Sequence, residues 1–136
     1  MRPPASVGLY AIQIARLHGL EVITTCSPKH HDLVKSYGAS HAFDYRDPEV
    51  VNKIRNAAPQ LRYVFDTIGN KTSSGTAAKA IGHPNGVLCT VRPGKANTED
   101  VPKNIKVTDV LVWTAFMKEH RYGTFHWPVS RRTSWF

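Results

Sequence analysis

Cysteine is scarce in this sequence. Cys26 and Cys89 are the only two among 136 residues, and both lie in strand-like runs without a CxxC spacing. That excludes a disulfide scaffold and leaves two reduced core thiols. Long apolar runs are also lacking. None approaches the roughly 20 residues that cross a bilayer, and the stretch after Met1-Arg2-Pro3-Pro4 is broken by Tyr10 and Gln13, unlike a secretory signal. The cytosol is therefore the expected compartment. Acidic residues are few, 10 against 18 Lys and Arg, for a formal charge of +8. The cations are scattered from Arg2 to Arg132 and never exceed two in a row. A nucleic-acid surface would gather them on one stripe. No nucleic-acid or membrane partner is expected, and the basic balance suits a domain that holds a polyanionic small molecule. With 41% hydrophobic and 21% charged residues, wholesale disorder is excluded, and the length allows one modest domain but is short for a two-domain enzyme.

What is present is alternation. Val7 to Leu17 places polar Tyr10, Gln13 and Arg16 every third residue among Val7, Leu9, Ile12, Ile14 and Ala15, which predicts a helix buried on most sides and stopped by Gly19. Leu20 to Thr25 is a β-branched run expected as a strand covered on both faces. Pro28 marks a second helix start, followed by Leu33, Val34, Tyr37 and Ala39 at helical spacing as far as Gly38. His41 to Tyr45 reads as a short strand, Asp47-Pro48 as an N-cap and first helical position, and Glu49 to Ala58 as a helix. Leu61 to Ile68 is a strand interrupted by polar Asp66, Thr72 to Ile81 a helix ending at Gly82, and Gly86 to Val91 another strand. Residues 94–106 are polar and predict a loop, Val107 to Phe116 one more strand, and the remainder has no clear periodicity. Strands alternating with helices and short turns predict an α/β fold with a doubly wound parallel sheet. The expected organisation is a partial dinucleotide-binding domain over residues 1–112 and an irregular tail over 113–136.

The corner Cys26-Ser27-Pro28-Lys29 raises the functional question. In open parallel sheets, ligands bind beyond the carboxyl ends of the strands, where free backbone N–H groups meet a phosphate. In a dinucleotide domain the ribose-reading residue follows the glycine-rich turn by about twenty positions, and Ser27 lies nineteen after Gly8. An NAD site has a carboxylate there to accept from the ribose 2′-OH. Here a hydroxyl and a cation stand in its place, which fits the 2′-phosphate of NADP. The competing reading is that Ser27 only caps the next helix and Lys29 is a solvated first-turn residue; the local motif leaves both open.

The stretches "TTCSPKHHDLVKSYGA", "FDYRDPEV", "LRYVFDTI" and "YGTFHWPVS" together resemble the cofactor domain of the medium-chain dehydrogenase/reductase superfamily. The similarity is greatest to its zinc-free fungal branch of trans-acting enoyl reductases, over about residues 5 to 128. The resemblance implies a Rossmann-type NADPH-binding domain. It implies that Ala5, Ser6 and Val7 approach the pyrophosphate, and that Ser27, Pro28, Lys29 and His30 form the 2′-phosphate corner. Tyr45 would close over the adenosine end, Ile68, Val91 and Arg92 would lie along the nicotinamide half, and Phe116 would stand near the substrate cleft. It also implies an activity, hydride transfer from NADPH to an activated carbon–carbon double bond or a carbonyl of a small-molecule substrate.

The chain departs from the family pattern at both ends. The family's first strand and its Gly/Ser-rich turn should precede residue 5, where Arg2-Pro3-Pro4 stands instead, and proline donates no N–H to a phosphate. The segments that build the family's catalytic domain are not recognisable, and "SRRTSWF" does not continue the pattern. The sheet is accordingly expected to be incomplete, without its first strand and catalytic domain. No catalytic residue can be assigned, and the chain is expected to be a piece of an enzyme, silent on its own. The alternative is a non-catalytic fragment or interaction module that binds a partner protein through an exposed sheet edge and apolar face, and self-association through such edges is a further expectation. Seven histidines without an HxxxH or CxxC pair predict no metal site. Asp66 is expected to cap the loop after its strand, and Tyr45 reads from the residues alone equally well as a core aromatic.

Overall fold

A computed structural model describes residues 6–110 and 119–127. The chain begins with helix α1 (Ser6–Leu17) and enters strand β1 (Ile23–Cys26). The expected stop at Gly19 is present: Gly19 has φ 72°, its N–H bonds the Arg16 carbonyl at 3.0 Å, and the Leu20 N–H reaches back to Ala15 at 3.0 Å. These two bonds close the last helical turn in the Schellman pattern. They also occupy Leu20, so the strand starts at Ile23, three residues later than periodicity suggests, and runs on to Cys26.

Strand β1 pairs in parallel with β2 (His41–Asp44), Ile23 opposite His41 and Cys26 opposite Asp44. Between them the chain makes one 3-10 turn, Pro28–His30, and the short helix α2 (His31–Ser36). Helix α3 (Val50–Ala57) follows β2, and here the expected start at Asp47-Pro48 is wrong. Asp47 Oδ1 accepts the Glu49 N–H at 2.8 Å, while Oδ2 pairs with the Lys53 ammonium. A side chain that satisfies the local backbone in a turn competes with the helical turn and delays it to Val50.

Strand β3 (Tyr63–Asp66), helix α4 (Ser73–Lys79), β4 (Val87–Thr90) and β5 (Lys106–Asp109) complete the parallel system, in the order β3-β4-β5. All these strands are shorter than their apolar runs. The Leu61 carbonyl, for example, is taken by the N–H groups of Gly82 and His83, both at 3.1 Å, before the ladder begins. The expected loop over residues 94–106 holds a 3-10 turn, Pro93–Lys95, and buries Val101 and Ile105. The strand expected over Val107 to Phe116 is seen as Lys106–Asp109; residues 111–118 lie outside the described residues. The described part of the tail expected to be irregular holds an antiparallel hairpin, β6 (His120–Tyr122) with β7 (Phe125–Trp127), whose two-residue turn uses Gly123 at φ 58°.

The α/β, Rossmann-type topology is thus as expected, but the parallel strands form two sheets, β1-β2 and β3-β4-β5. Among the described residues no strand pairs with the remaining edge of β1 or of β3. Each sheet has its own core. Leu88, wholly buried, packs with Ala78, Ile81, Val101 and Ile105 on the three-stranded side, and Ile12, Val34 and Ala39 pack on the two-stranded side. Helix α1 reaches both. Ile12 sits in the second core, while a Cβ on Gly8 would stand 3.8 Å from Thr67 Oγ1, just past β3. The expectation that α1 is buried on most sides fails, since Ile12 is its only buried residue and Val7, Tyr10, Ile14 and Leu17 are exposed. Only one face of the helix has described residues to pack against.

Candidate functional site

The register of β1 and β2 gathers the first group of expected residues. Cys26 and Asp44 are Cα partners at the last rung, so the chain leaves both strands together, into Ser27-Pro28-Lys29-His30 on one side and Tyr45-Arg46 on the other. Ser27 is extended at φ −65°, ψ 143°, and its side chain makes no cap bond; the plain capping role is not the one it plays. Lys29 is exposed and enters no ion pair among the described residues. The Nε2 atoms of His30 and His31 are both buried without a hydrogen-bond partner. Tyr45 is 58% exposed, so it is not a core aromatic.

Asp44 and Arg46 drew no attention in the sequence, although an acid and a base two residues apart at a strand end were a usable signal. The Arg46 Nε and Nη2 donate to the two Asp44 carboxylate oxygens at 3.2 and 3.1 Å, and the Arg46 backbone N–H donates to Oδ1 at 3.0 Å. These bonds, the guanidinium's first, hold the Asp44 carboxyl below its ordinary range. The Arg46 guanidinium also lies 5.6 Å from the centre of the Tyr45 ring. Burial, and then Asp44, push the Cys26 thiol up, which keeps it protonated and unreactive.

The second group gathers at the ends of β3 and β4. Asp66 is only 6% exposed. Its Oδ1 accepts the N–H groups of Ile68 and Gly69 at 2.9 and 3.0 Å, and its Oδ2 accepts the hydroxyls of Ser73 and Ser74 at 2.7 and 2.6 Å. Burial alone would raise its pKa, but the bonds, led by Ser74 and Gly69, outweigh it and the net direction is down. Asp66 therefore caps the loop after β3, as the sequence suggests. The Gly69 carbonyl is gripped in turn by Arg92 Nε at 2.7 Å and Asn97 Nδ2 at 2.8 Å. Gly69 needs to be glycine twice over: φ is 62°, and a Cβ would collide with the Arg92 side chain. Asn97 was not legible as a partner of this loop, because it lies 28 residues from Gly69, whereas Ser73 and Ser74, seven and eight residues after Asp66 at the start of the next helix, were a usable local signal.

This network sets Ile68, exposed at 56%, next to the Gly69 carbonyl that Arg92 holds, and the Gly8–Thr67 approach brings the N-terminal part of α1 near the end of β3. Val91 joins through its N–H, which bonds the Asp66 carbonyl at 3.2 Å. The expected residues thus fall into two clusters, Ser27-Pro28-Lys29-His30-Tyr45 past β1 and β2 and Ile68-Val91-Arg92 past β3 and β4, with Ser6 and Val7 in the first turn of α1. Ala5 and Phe116 lie outside the described residues. A shallow hollow of about 300 Å³ between Arg62, Asn85, Asn104 and Lys106 lies at the opposite, N-terminal ends of β3, β4 and β5 and holds none of them.

Nothing in these clusters suits a metal: no group of three or more His, Cys, Asp or Glu among the described residues could hold one. A nicotinamide dinucleotide fits better. Among the described residues, a cation outside any ion pair, a hydroxyl that makes no cap bond and two buried imidazole nitrogens without partners stand at one cluster, and a hydrogen-bonded loop with an exposed apolar side chain stands at the other.

Comparison with known proteins bears on the family and the fold. Residues 6–126 match the family model described as zinc-binding dehydrogenase. A dual trans-enoyl reductase/FAD-dependent monooxygenase of Aspergillus terreus is 43% identical over 113 residues, covering 82% of this chain and 16% of the relative. A trans-enoyl reductase of Gibberella fujikuroi is 35% identical over 124 residues, covering 90% of this chain and 35% of the relative. This chain therefore spans about a third or less of the length of these curated relatives. Among solved structures, CurK enoyl reductase superposes with a TM-score of 0.67 at 19% identity, over 82% of this chain and 35% of that one. A quinone oxidoreductase of Pseudomonas syringae superposes with a TM-score of 0.62 at 23% identity, over 76% and 34%. At such identities the structures establish the fold alone. No described helix is long and apolar enough to cross a membrane.

Proposed function

Since this chain belongs to the zinc-binding dehydrogenase family of the medium-chain dehydrogenase/reductase superfamily, we propose that it supplies the NADPH-binding part of an enoyl reductase-like oxidoreductase. The observation that carries the cofactor choice is the corner past β1, where the Ser27 side chain makes no cap bond and exposed Lys29 enters no ion pair among the described residues. Ser27 would donate to, and Lys29 pair with, the 2′-phosphate that distinguishes NADPH from NADH. Tyr45 would cover the adenosine end. Ser6 and Val7, with Ala5 ahead of them, would approach the pyrophosphate. The loop that Asp66 holds would set Ile68, with Val91 and Arg92, against the nicotinamide half.

When bound, the cofactor supplies a hydride for an activated carbon–carbon double bond or a carbonyl. This chain's residues bind and orient it. Placement matters because positioned reactants and excluded water account for on the order of 7 kcal/mol or more of barrier lowering. The described residues would wall one side of such a cleft, and the relatives that share this chain's sequence are about two and a half times its length or more. The 136-residue chain alone is expected to bind cofactor without turnover, in the cytosol. Near-ultraviolet absorbance with enones, quinones and enoyl thioesters as acceptors checks this, and steady NADPH consumption would overturn it. The cofactor assignment is tested by Lys29→Ala, which should weaken NADPH more than NADH in calorimetric titrations; equal losses would make Lys29 an ordinary surface charge.

One observation favours a second reading. Val7, Tyr10, Ile14 and Leu17, at helical spacing on α1, are 48%, 67%, 57% and 86% exposed, a bare apolar stripe suited to protein contact. Concentration-dependent association in sedimentation runs, with no stabilisation by nucleotide, would favour an interaction module over a cofactor domain.

A further inference from the structure

Asp44 poses a problem for a phosphate reader. It ends β2 directly opposite Cys26, one residue before Ser27, and adjacent strands lie only about 4.8 Å apart. A bare carboxylate there would repel a 2′-phosphate and offer an acceptor to an unphosphorylated ribose, the preference of an NAD site. In this chain the carboxylate is not bare. Arg46 folds back and engages both oxygens through its guanidinium, with its own N–H as a third donor. The Asp44 side chain is 26% exposed and that of Arg46 61%, so the base lies on the solvent side of the acid, over the Tyr45 ring.

We propose that Arg46 is a specificity-determining residue of the cofactor corner, and that it acts by masking Asp44 and not by binding the phosphate itself. This rests on the reading that Ser27 and Lys29 hold a 2′-phosphate. The acid keeps the guanidinium in place over Tyr45, the base cancels the acid's charge, and the two together leave the corner net cationic through Lys29. Unmasking Asp44 turns the same scaffold toward NADH.

The test uses the full chain and two ligands that differ only in the 2′-phosphate, adenosine 2′,5′-bisphosphate and AMP, titrated by calorimetry. Arg46→Ala should reduce the preference for the 2′-phosphorylated ligand roughly fivefold, about the effect of one nearby unit charge through water. Asp44→Asn in the Arg46→Ala background should restore the preference. A double variant as poor as Arg46→Ala would show that Arg46 contacts the phosphate directly and overturn the masking role, as would an unchanged preference in Arg46→Ala. A wild-type chain without any preference would overturn the 2′-phosphate reading and this inference with it. Both residues stand at an exposed strand end, and thermal melts of each variant confirm that the fold is kept.

Discussion

The two sheets of this molecule end in opposite styles. Past β3 and β4, a buried carboxylate with four donors, Asp66, fixes a loop whose one carbonyl, at Gly69, is held by Arg92 and Asn97. Past β1, the polar groups are exposed or without a partner among the described residues: Lys29, the hydroxyl of Ser27, the Nε2 atoms of His30 and His31. The cores differ in the same sense, five buried residues including Leu88 against three including Val34. A site that must present a wall needs its polar groups satisfied internally, whereas one that must hold an anion needs them left for the ligand.

The sharpest way to break the comparison is to damage the larger core. Leu88 is 0% exposed, and Leu88→Ala is expected to cost about 3 kcal/mol, transfer plus cavity, read as a lowered denaturant midpoint. Asp66→Asn should cost about 2 kcal/mol, because an amide cannot accept from the four donors that converge on the carboxylate. Val34→Ala, in the smaller core, is expected to cost less, about 1.5 kcal/mol. If Val34→Ala proved worse than Leu88→Ala, the ranking of the two halves would be reversed.

Acid sharpens the contrast further. The Asp66 pKa is lowered on folding, so the unfolded chain binds the proton more readily. Its stabilisation is complete above the ordinary aspartate pKa of about 3.9 and is lost as pH falls from there through the lower folded value. Asp66→Asn should flatten that acid limb. Asp44 and Asp47 are lowered too, by exposed partners, and added salt should erase their share while leaving that of buried Asp66. A wild-type acid limb that vanished in salt would place the effect on the surface pairs.

Much of this was legible in sequence. The alternation of strands and helices, the Gly19 stop and the capping role of Asp66 follow from local patterns. The starts of β1 and α3 were not, because a Schellman closure at Leu20 and the Asp47 turn each consume residues that periodicity assigns to the next element. The hairpin between His120 and Trp127 was hidden because charged and aromatic residues alternate there without the apolar face that marks a strand. Arg46 was missed because its importance lies in what it neutralises, and Asn97 because only the fold brings it to Gly69.

The smallest effect on stability should come from Lys29→Ala, which removes no described contact, yet that residue stands at the centre of the functional account. The most direct test is therefore the paired calorimetric titration of the intact chain with NADPH and NADH. The account predicts tighter binding of NADPH; equal affinities, or a preference for NADH, would contradict it.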